Sequence, residues 1–215
     1  MTRIKAVVFD MDGVLIEAKD WHYETLNKAL GLFGFGISRY DHLVTYDGLP
    51  TRRKLEMLTR EQGLPSMLHG FINEMKQIYT LEMIHAHCKP RFYHEYALAR
   101  LRDLGYRTAV ASNSVRATVE LMMAKSNLAR YLDVMLSNQD VARGKPHPDI
   151  YRLAAERLGL RTEECLVVED NENGIQSAQA AGCPLLVVQD VADTTFSNIM
   201  TRIQQVERGE SEGQP

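Results

Sequence analysis

Apolar residues along the chain follow two rhythms. Five short runs, at 4–9, 108–111, 134–136, 166–168 and 185–188, are almost continuously apolar. Runs this short and uniform predict strands buried on both faces, as in a parallel sheet. Between the later runs the period becomes helical. Tyr93, Tyr96, Ala97, Leu101 and Leu104 share one face, as do Ile150, Leu153, Ala154 and Leu158, and Phe196, Ile199, Ile203 and Val206. Gly105, Gly159 and Gly182 follow such stretches, where helix ends favour a left-handed residue. Strand and helix alternate from about residue 92 onward, which predicts an α/β fold with a doubly wound, parallel, five-stranded, Rossmann-like core.

The first run stands outside that alternation. After Leu15 the chain reads as helix only, with Leu26, Ala29, Leu30 and Phe33 on one face. Leu68, Phe71, Ile72, Met75, Ile78 and Tyr79 make a second face, and no strand-like run lies between. A crossover connection rarely needs so many residues, so the stretch reads as a helical unit inserted after the first strand. The expected boundaries are 1–16 and 88–207 for the core and 17–87 for the insertion, with Pro90 on the return path. The small polar residues at 208–215 predict a disordered tail.

Composition narrows the function classes. At 215 residues, 45% hydrophobic and 25% charged, the chain holds enough apolar material for a core plus a sizeable insertion. A net charge of -3 argues against a general nucleic-acid binder, which needs clustered Lys and Arg. No apolar run approaches the ~20 residues of a membrane span, and the start lacks the pattern of a signal peptide. The three cysteines, Cys88, Cys165 and Cys183, are widely spaced and show no metal-site pattern. They read as reduced thiols of a cytoplasmic protein, monomeric or a small homo-oligomer, that engages neither nucleic acid nor membrane.

Chemistry gathers where apolar runs stop. In Phe9-Asp10-Met11-Asp12-Gly13-Val14 two carboxylates follow the first run, where an open parallel sheet binds ligands, and Gly13 permits a sharp bend behind them. The same residues would also serve as a solvated turn, and calcium loops contain the same short pattern. Leu166-Val167-Val168-Glu169-Asp170-Asn171 repeats the arrangement. Two strand ends each delivering two carboxylates are costly without a cation, and an all-oxygen set suits a hard one, Mg²⁺ first. Ala109-Val110-Ala111-Ser112-Asn113-Ser114 ends a strand in hydroxyls and an amide, suited to phosphate oxygens or to an ordinary helix N-cap. In Gly144-Lys145-Pro146-His147-Pro148 two prolines stiffen the backbone around a lysine that either offsets negative charge or is simply solvated.

In order, these segments resemble the haloacid dehalogenase superfamily of phosphotransferases. The likeness rests on Asp10-x-Asp12-Gly13, Ser112 at a strand end, Lys145 before Pro146, and Glu169-Asp170, and it runs the length of the chain. Gly-Lys-Pro-x-Pro-x-x-Tyr and Val-Glu-Asp-x-x-x-Gly-Ile are similar to the subgroup of phosphoglycolate phosphatases and β-phosphoglucomutases, whose helical cap is inserted after the first motif. Each motif alone is short; the ordered set is specific.

The resemblance implies a Mg²⁺-dependent phosphoric monoester hydrolase acting on a small phosphorylated metabolite, a sugar phosphate foremost, with a sugar phosphomutase as the alternative. It implies Asp10 as nucleophile forming an aspartyl-phosphate, and Asp12 as acid to the leaving oxygen and then base to water. Ser112, with Asn113 and Ser114, would hold phosphoryl oxygens, and Lys145 would neutralise charge beside Asp10. The metal would be held by Asp10, the Asp12 carbonyl, Asp170 and Glu169, the last directly or through water. Substrate choice would lie in the cap, with His22 and Arg52 as the expected contacts. The mutases carry an arginine where this chain has Thr51, and Glu17 stands where Asp is usual. Lys54 and Lys76 read as solvated helix charges. Receiver domains also place acids, a hydroxyl and a lysine on a sheet edge, but their paired acids precede the phosphoacceptor and no helical insertion follows their first strand.

Overall fold

The computed structural model describes residues 3–210, and the chain divides into two compact units, Met1–Glu17 with Lys89–Pro215, and Ala18–Cys88. The first unit contains β1 (Ala6–Phe9), α5 (Phe92–Asp103), β2 (Arg107–Ala111), α6 (Arg116–Lys125), β3 (Val134–Leu136), α7 (Asp149–Leu158), β4 (Cys165–Glu169), α8 (Glu172–Ala181), β5 (Leu185–Val187) and α9 (Phe196–Arg208). The second contains α1 (Lys19–Gly31), α2 (Arg39–Asp41), α3 (Thr51–Gln62) and α4 (His69–His87).

All strand pairs are parallel, in the order β3-β2-β1-β4-β5. Every residue of β1 is buried, as expected for a strand covered on both faces. Alternate residues Ala6 and Val8 join Ala109, Ala111, Cys165 and Val167 in a core closed by Ile150, Ala154 and Leu158 of α7 and Ala178 and Ala181 of α8. Phe9 lies level with Val110 and Val168, so the next step sets Asp10 level with Glu169. Gly159 and Gly182 are the left-handed C-caps of α7 and α8.

Two helices turn a different face inward from the one the apolar pattern suggests. In α5 the buried residues are His94, Ala97, Leu98 and Leu101, while Tyr96 and Leu104 are exposed. His94 takes an inward place because its Nε2 lies 2.9 Å from the Val191 carbonyl, and burial pushes the imidazole down to about 4. In α4 the stripe Ile72, Lys76, Thr80 and Ile84 is buried, leaving Phe71 and Ile78 exposed. The expected tail also begins too early, because α9 continues through Arg208 and is capped by Gly209; residues 211–215 lie outside the described residues.

The second unit has its own core of Leu26, Ala29, Leu30, Ile37, Tyr46, Leu55, Leu58, Leu64 and Ile72. Asn27 ties the chain after α1 by accepting from Ile37 N and donating to Ile37 O, at 2.7 and 2.9 Å. A π-helical turn, His42–Tyr46, follows α2 directly. Lys54 and Lys76 are both buried, contrary to the expectation of solvated charges. The Lys76 ammonium lies 3.4 Å from His22 Nδ1, and the Lys54 charge helps to push the buried His42 down to about 4, after burial itself.

Cys88, Cys165 and Cys183 are free and buried, and burial pushes the last two thiols up to about 12. Among the described residues no helix is long and apolar enough to cross a membrane.

At the start of β4, Glu164 accepts from the Lys5 ammonium at 2.6 Å and from Arg161 N at 3.0 Å, which hold its carboxyl at about 2 against an ordinary 4.5. A folded-state value below the unfolded one gives stability that is present above the unfolded value and lost as pH falls toward the folded one. Thermal melts between about pH 6 and pH 2 are therefore expected to fall less steeply for Glu164→Gln than for the wild type. Parallel curves would show that the Lys5 and Arg161 contacts do not persist in solution.

Candidate active site

The carboxyl edge of the sheet gathers the polar residues of all four segments. Asp10 N donates to Val168 O at 2.9 Å and Ser112 N to Leu136 O at 3.1 Å, so both backbones leave the sheet still tied to it. Gly13 turns the chain with φ at +92°, a conformation that costs a residue with a Cβ. Ile16 N then donates to Met11 O at 2.9 Å and Gly13 N to Ile16 O at 2.7 Å, which folds the loop behind Asp12.

Lys145 is buried, not solvated, and joins two of the strand ends. Its Nζ donates to Asp10 Oδ1 at 2.5 Å and to Glu169 Oε1 at 2.6 Å. The Asn113 side chain brackets its peptide, accepting from Lys145 N at 3.0 Å and donating to Lys145 O at 3.3 Å. Burial alone would push the ammonium down, but Asp10 and Glu169 outweigh it and hold the group above its usual value. Asp10 is raised well above the carboxylate range by burial; Lys145 opposes the rise, while Glu169, Asp170 and Asp12 add to it. This is a concentration of negative charge that one lysine only partly offsets.

The serines do not cap α6. Its N-cap is Val115, with no side-chain capping bond. Ser112 Oγ instead accepts from Ser114 N at 3.0 Å, and Ser114 Oγ donates to Asp12 Oδ2 at 3.1 Å. Oxygens of Asp10, Glu169 and Asp170 lie within 4.8 Å of one another, close enough to share one cation. That all-carboxylate donor set fits a hard divalent ion such as Mg²⁺, and charge relief at Asp10 would follow from binding it.

Tyr151 and Gly174, for which the sequence motifs imply no role, both meet Glu169. The Tyr151 hydroxyl donates to Glu169 Oε1, and burial together with the Glu169 charge keeps the phenol protonated. Gly174 makes room for the same carboxylate, since a Cβ there would lie 1.8 Å from Glu169 Oε1.

His22 and Arg52 belong to the other unit. His22 stands in the first turn of α1 beside Lys76, while Arg52 is largely exposed and pairs with Glu56 at 3.2 Å. Tyr23 packs on His42 with ring centroids 5.2 Å apart, and Trp21 lies 6.2 Å from His87.

Comparison with known proteins gives the family and the fold. The family model described as haloacid dehalogenase-like hydrolase matches residues 7–188. A phosphorylated carbohydrates phosphatase of Thermotoga maritima is 28% identical over 182 residues, 83% of this chain and 82% of that one. The phosphoglycolate phosphatase of Escherichia coli is 27% identical over 200 residues, 84% of this chain and 79% of that one. Among solved structures, CbbY from Rhodobacter sphaeroides in complex with phosphate superposes with a TM-score of 0.78 at 25% identity, covering 86% of this chain and 85% of its own. A β-phosphoglucomutase from Clostridium difficile reaches 0.83 at 18% identity over 95% and 99%, a likeness of fold alone.

Proposed function

The chain belongs to the haloacid dehalogenase-like hydrolase family, and on that premise we propose that it is a Mg²⁺-dependent phosphatase of a small phosphorylated metabolite, a sugar phosphate foremost. The observation that carries the proposal is the convergence of Asp10, Lys145, Glu169 and Asp170 at one sheet edge. Relatives named as phosphatases of phosphorylated carbohydrates and of phosphoglycolate support the substrate class.

In this reading an Asp10 oxygen attacks phosphorus and the bond from phosphorus to the substrate oxygen breaks. Asp12 gives its proton to that leaving oxygen, so the alcohol departs neutral. The phosphoryl group now rests on Asp10 as a mixed anhydride. Asp12 then takes a proton from water, the water oxygen attacks phosphorus, and the bond to Asp10 breaks to release inorganic phosphate. Ser114, bonded to Asp12 Oδ2, orients the proton donor, and the Ser112 hydroxyl is assigned to a phosphoryl oxygen. Lys145 lowers the repulsion between the Asp10 carboxylate and the incoming dianion. Asp10, Asp170, Glu169 and the Asp12 carbonyl would hold Mg²⁺, which supplies further charge neutralisation at the phosphoryl oxygens. Substrate choice is assigned to the inserted helical unit, with His22 and Arg52 as candidate contacts.

The test is phosphate release from hexose phosphates, phosphoglycolate and nucleotides, with and without Mg²⁺. Release that depends on Mg²⁺ and is strongest on one small phosphoester is the expected result. Isomerised hexose phosphate with no net phosphate, once a bisphosphate primer is added, would overturn hydrolysis in favour of the mutase reaction.

A further inference from the structure

Lys145 is useful to the proposed chemistry only if its ammonium stays directed at Asp10. A lysine side chain has four rotatable bonds, so something must hold it. Glu169 does so from one side, at 2.6 Å, but a glutamate is itself flexible. Its Oε1 accepts two donors, Lys145 Nζ and the Tyr151 hydroxyl, while Oε2 accepts Asp170 N at 3.2 Å. The Tyr151 ring is fully buried in the core under the sheet, and its centroid lies 4.9 Å from Lys145 Nζ. Gly174, which begins no side chain, leaves the space that the Glu169 carboxylate fills. The rigid member of this chain of contacts is the tyrosine: two torsions, a ring locked by packing, and one hydroxyl.

We propose that Tyr151 is a positioning residue for phosphoryl transfer, its hydroxyl fixing Glu169 so that Lys145 is held against Asp10. The assignment rests on the proposed phosphatase activity and adds to it a residue that touches neither substrate nor metal. Tyr151 stands in the first turns of α7 and Lys145 on the segment leading into it, so one helix start sets both ends of the strut.

Tyr151→Phe keeps the ring and removes only the hydroxyl. It is expected to lower kcat about tenfold, as loss of a supporting contact behind a functional group commonly does. KM should move less than about twofold, because the substrate loses no contact, and kcat is read at saturating Mg²⁺, since Glu169 is also assigned to the metal. In a Lys145→Met background the same change should cost less than about twofold, since the residue it acts through is gone. A kcat within about twofold of wild type, or an equal loss in both backgrounds, would overturn the proposal. A second readout does not need activity. The ¹⁵N signal of the Lys145 ammonium, assigned by its loss in Lys145→Met, should shift or broaden in Tyr151→Phe without substrate. An unchanged ammonium signal would overturn the strut even if the wild type proved to have no phosphatase activity, so the two failures are distinguishable.

Discussion

Asp10→Asn is expected to abolish metal-dependent phosphate release, with a loss on the order of 10⁴-fold or more, while the protein melts within about 3 °C of wild type. The rate effect follows from the chemistry. An amide oxygen is a poor nucleophile, and the acyl phosphate cannot form on it. The small stability effect follows from the site. The buried Asp10 carboxylate stands among Glu169, Asp170 and Asp12, and burial and these neighbours all disfavour its charge. A neutral isostere removes one of the repelling groups and still offers an oxygen to Lys145, which keeps Glu169 as its charged partner at 2.6 Å. Mass spectrometry of rapidly quenched enzyme should find the phosphoryl increment on the wild-type peptide containing Asp10 and none on the variant. Retained metal-dependent turnover in Asp10→Asn would remove the nucleophile assignment; a large drop in melting temperature would mean that the charge is structural.

Much of this arrangement was legible in the sequence, for a physical reason. Strands covered on both faces must be apolar throughout, so 4–9 and 166–168 announced themselves, and the acids that follow them had nowhere to go but the sheet edge. What the sequence hid depends on contacts between distant residues. Periodicity treats Lys76, Thr80 and His94 as outward-facing, yet each is buried beside a partner from another segment or turn: His22 for Lys76, Thr25 for Thr80 and Val191 for His94. Tyr151 entered only as the last residue of the Gly-Lys-Pro-x-Pro-x-x-Tyr motif, and its hydroxyl acquires meaning only when Glu169, 18 residues further on, arrives beside it. Gly174 is similar: no local turn demands it, and its reason is a carboxylate from the preceding strand. Ser112 and Ser114 stood where an N-cap is expected, but Ser114 bonds Asp12, 102 residues away.

Lys145→Met should have the second large effect, and its signature is a metal-dependent loss of stability alongside the loss of rate. Methionine replaces the alkyl stem without the charge. The rate is expected to fall about 10²–10³-fold, the usual cost of removing a fixed electrostatic group aimed at developing charge. Stability is expected to fall as well, because the Asp10 and Glu169 carboxylates lose the only ammonium found between them among the described residues. Breaking a buried ion pair by deleting one partner costs about 3–5 kcal/mol, since the remaining charges stay buried and uncompensated. In a chain of 215 residues that corresponds to a fall in melting temperature of roughly 10 °C. A divalent cation held by Asp10, Glu169 and Asp170 would offset part of the same repulsion. Melts in EDTA should therefore show the full deficit, and melts in millimolar Mg²⁺ a smaller one, with the wild type gaining less from the metal than the variant. Asp10→Asn combined with Lys145→Met should recover stability relative to Lys145→Met alone, because one of the stranded charges is gone. Equal melting of wild type and Lys145→Met in EDTA would show that the lysine does not neutralise this cluster, and would leave its burial between two carboxylates without an electrostatic reason.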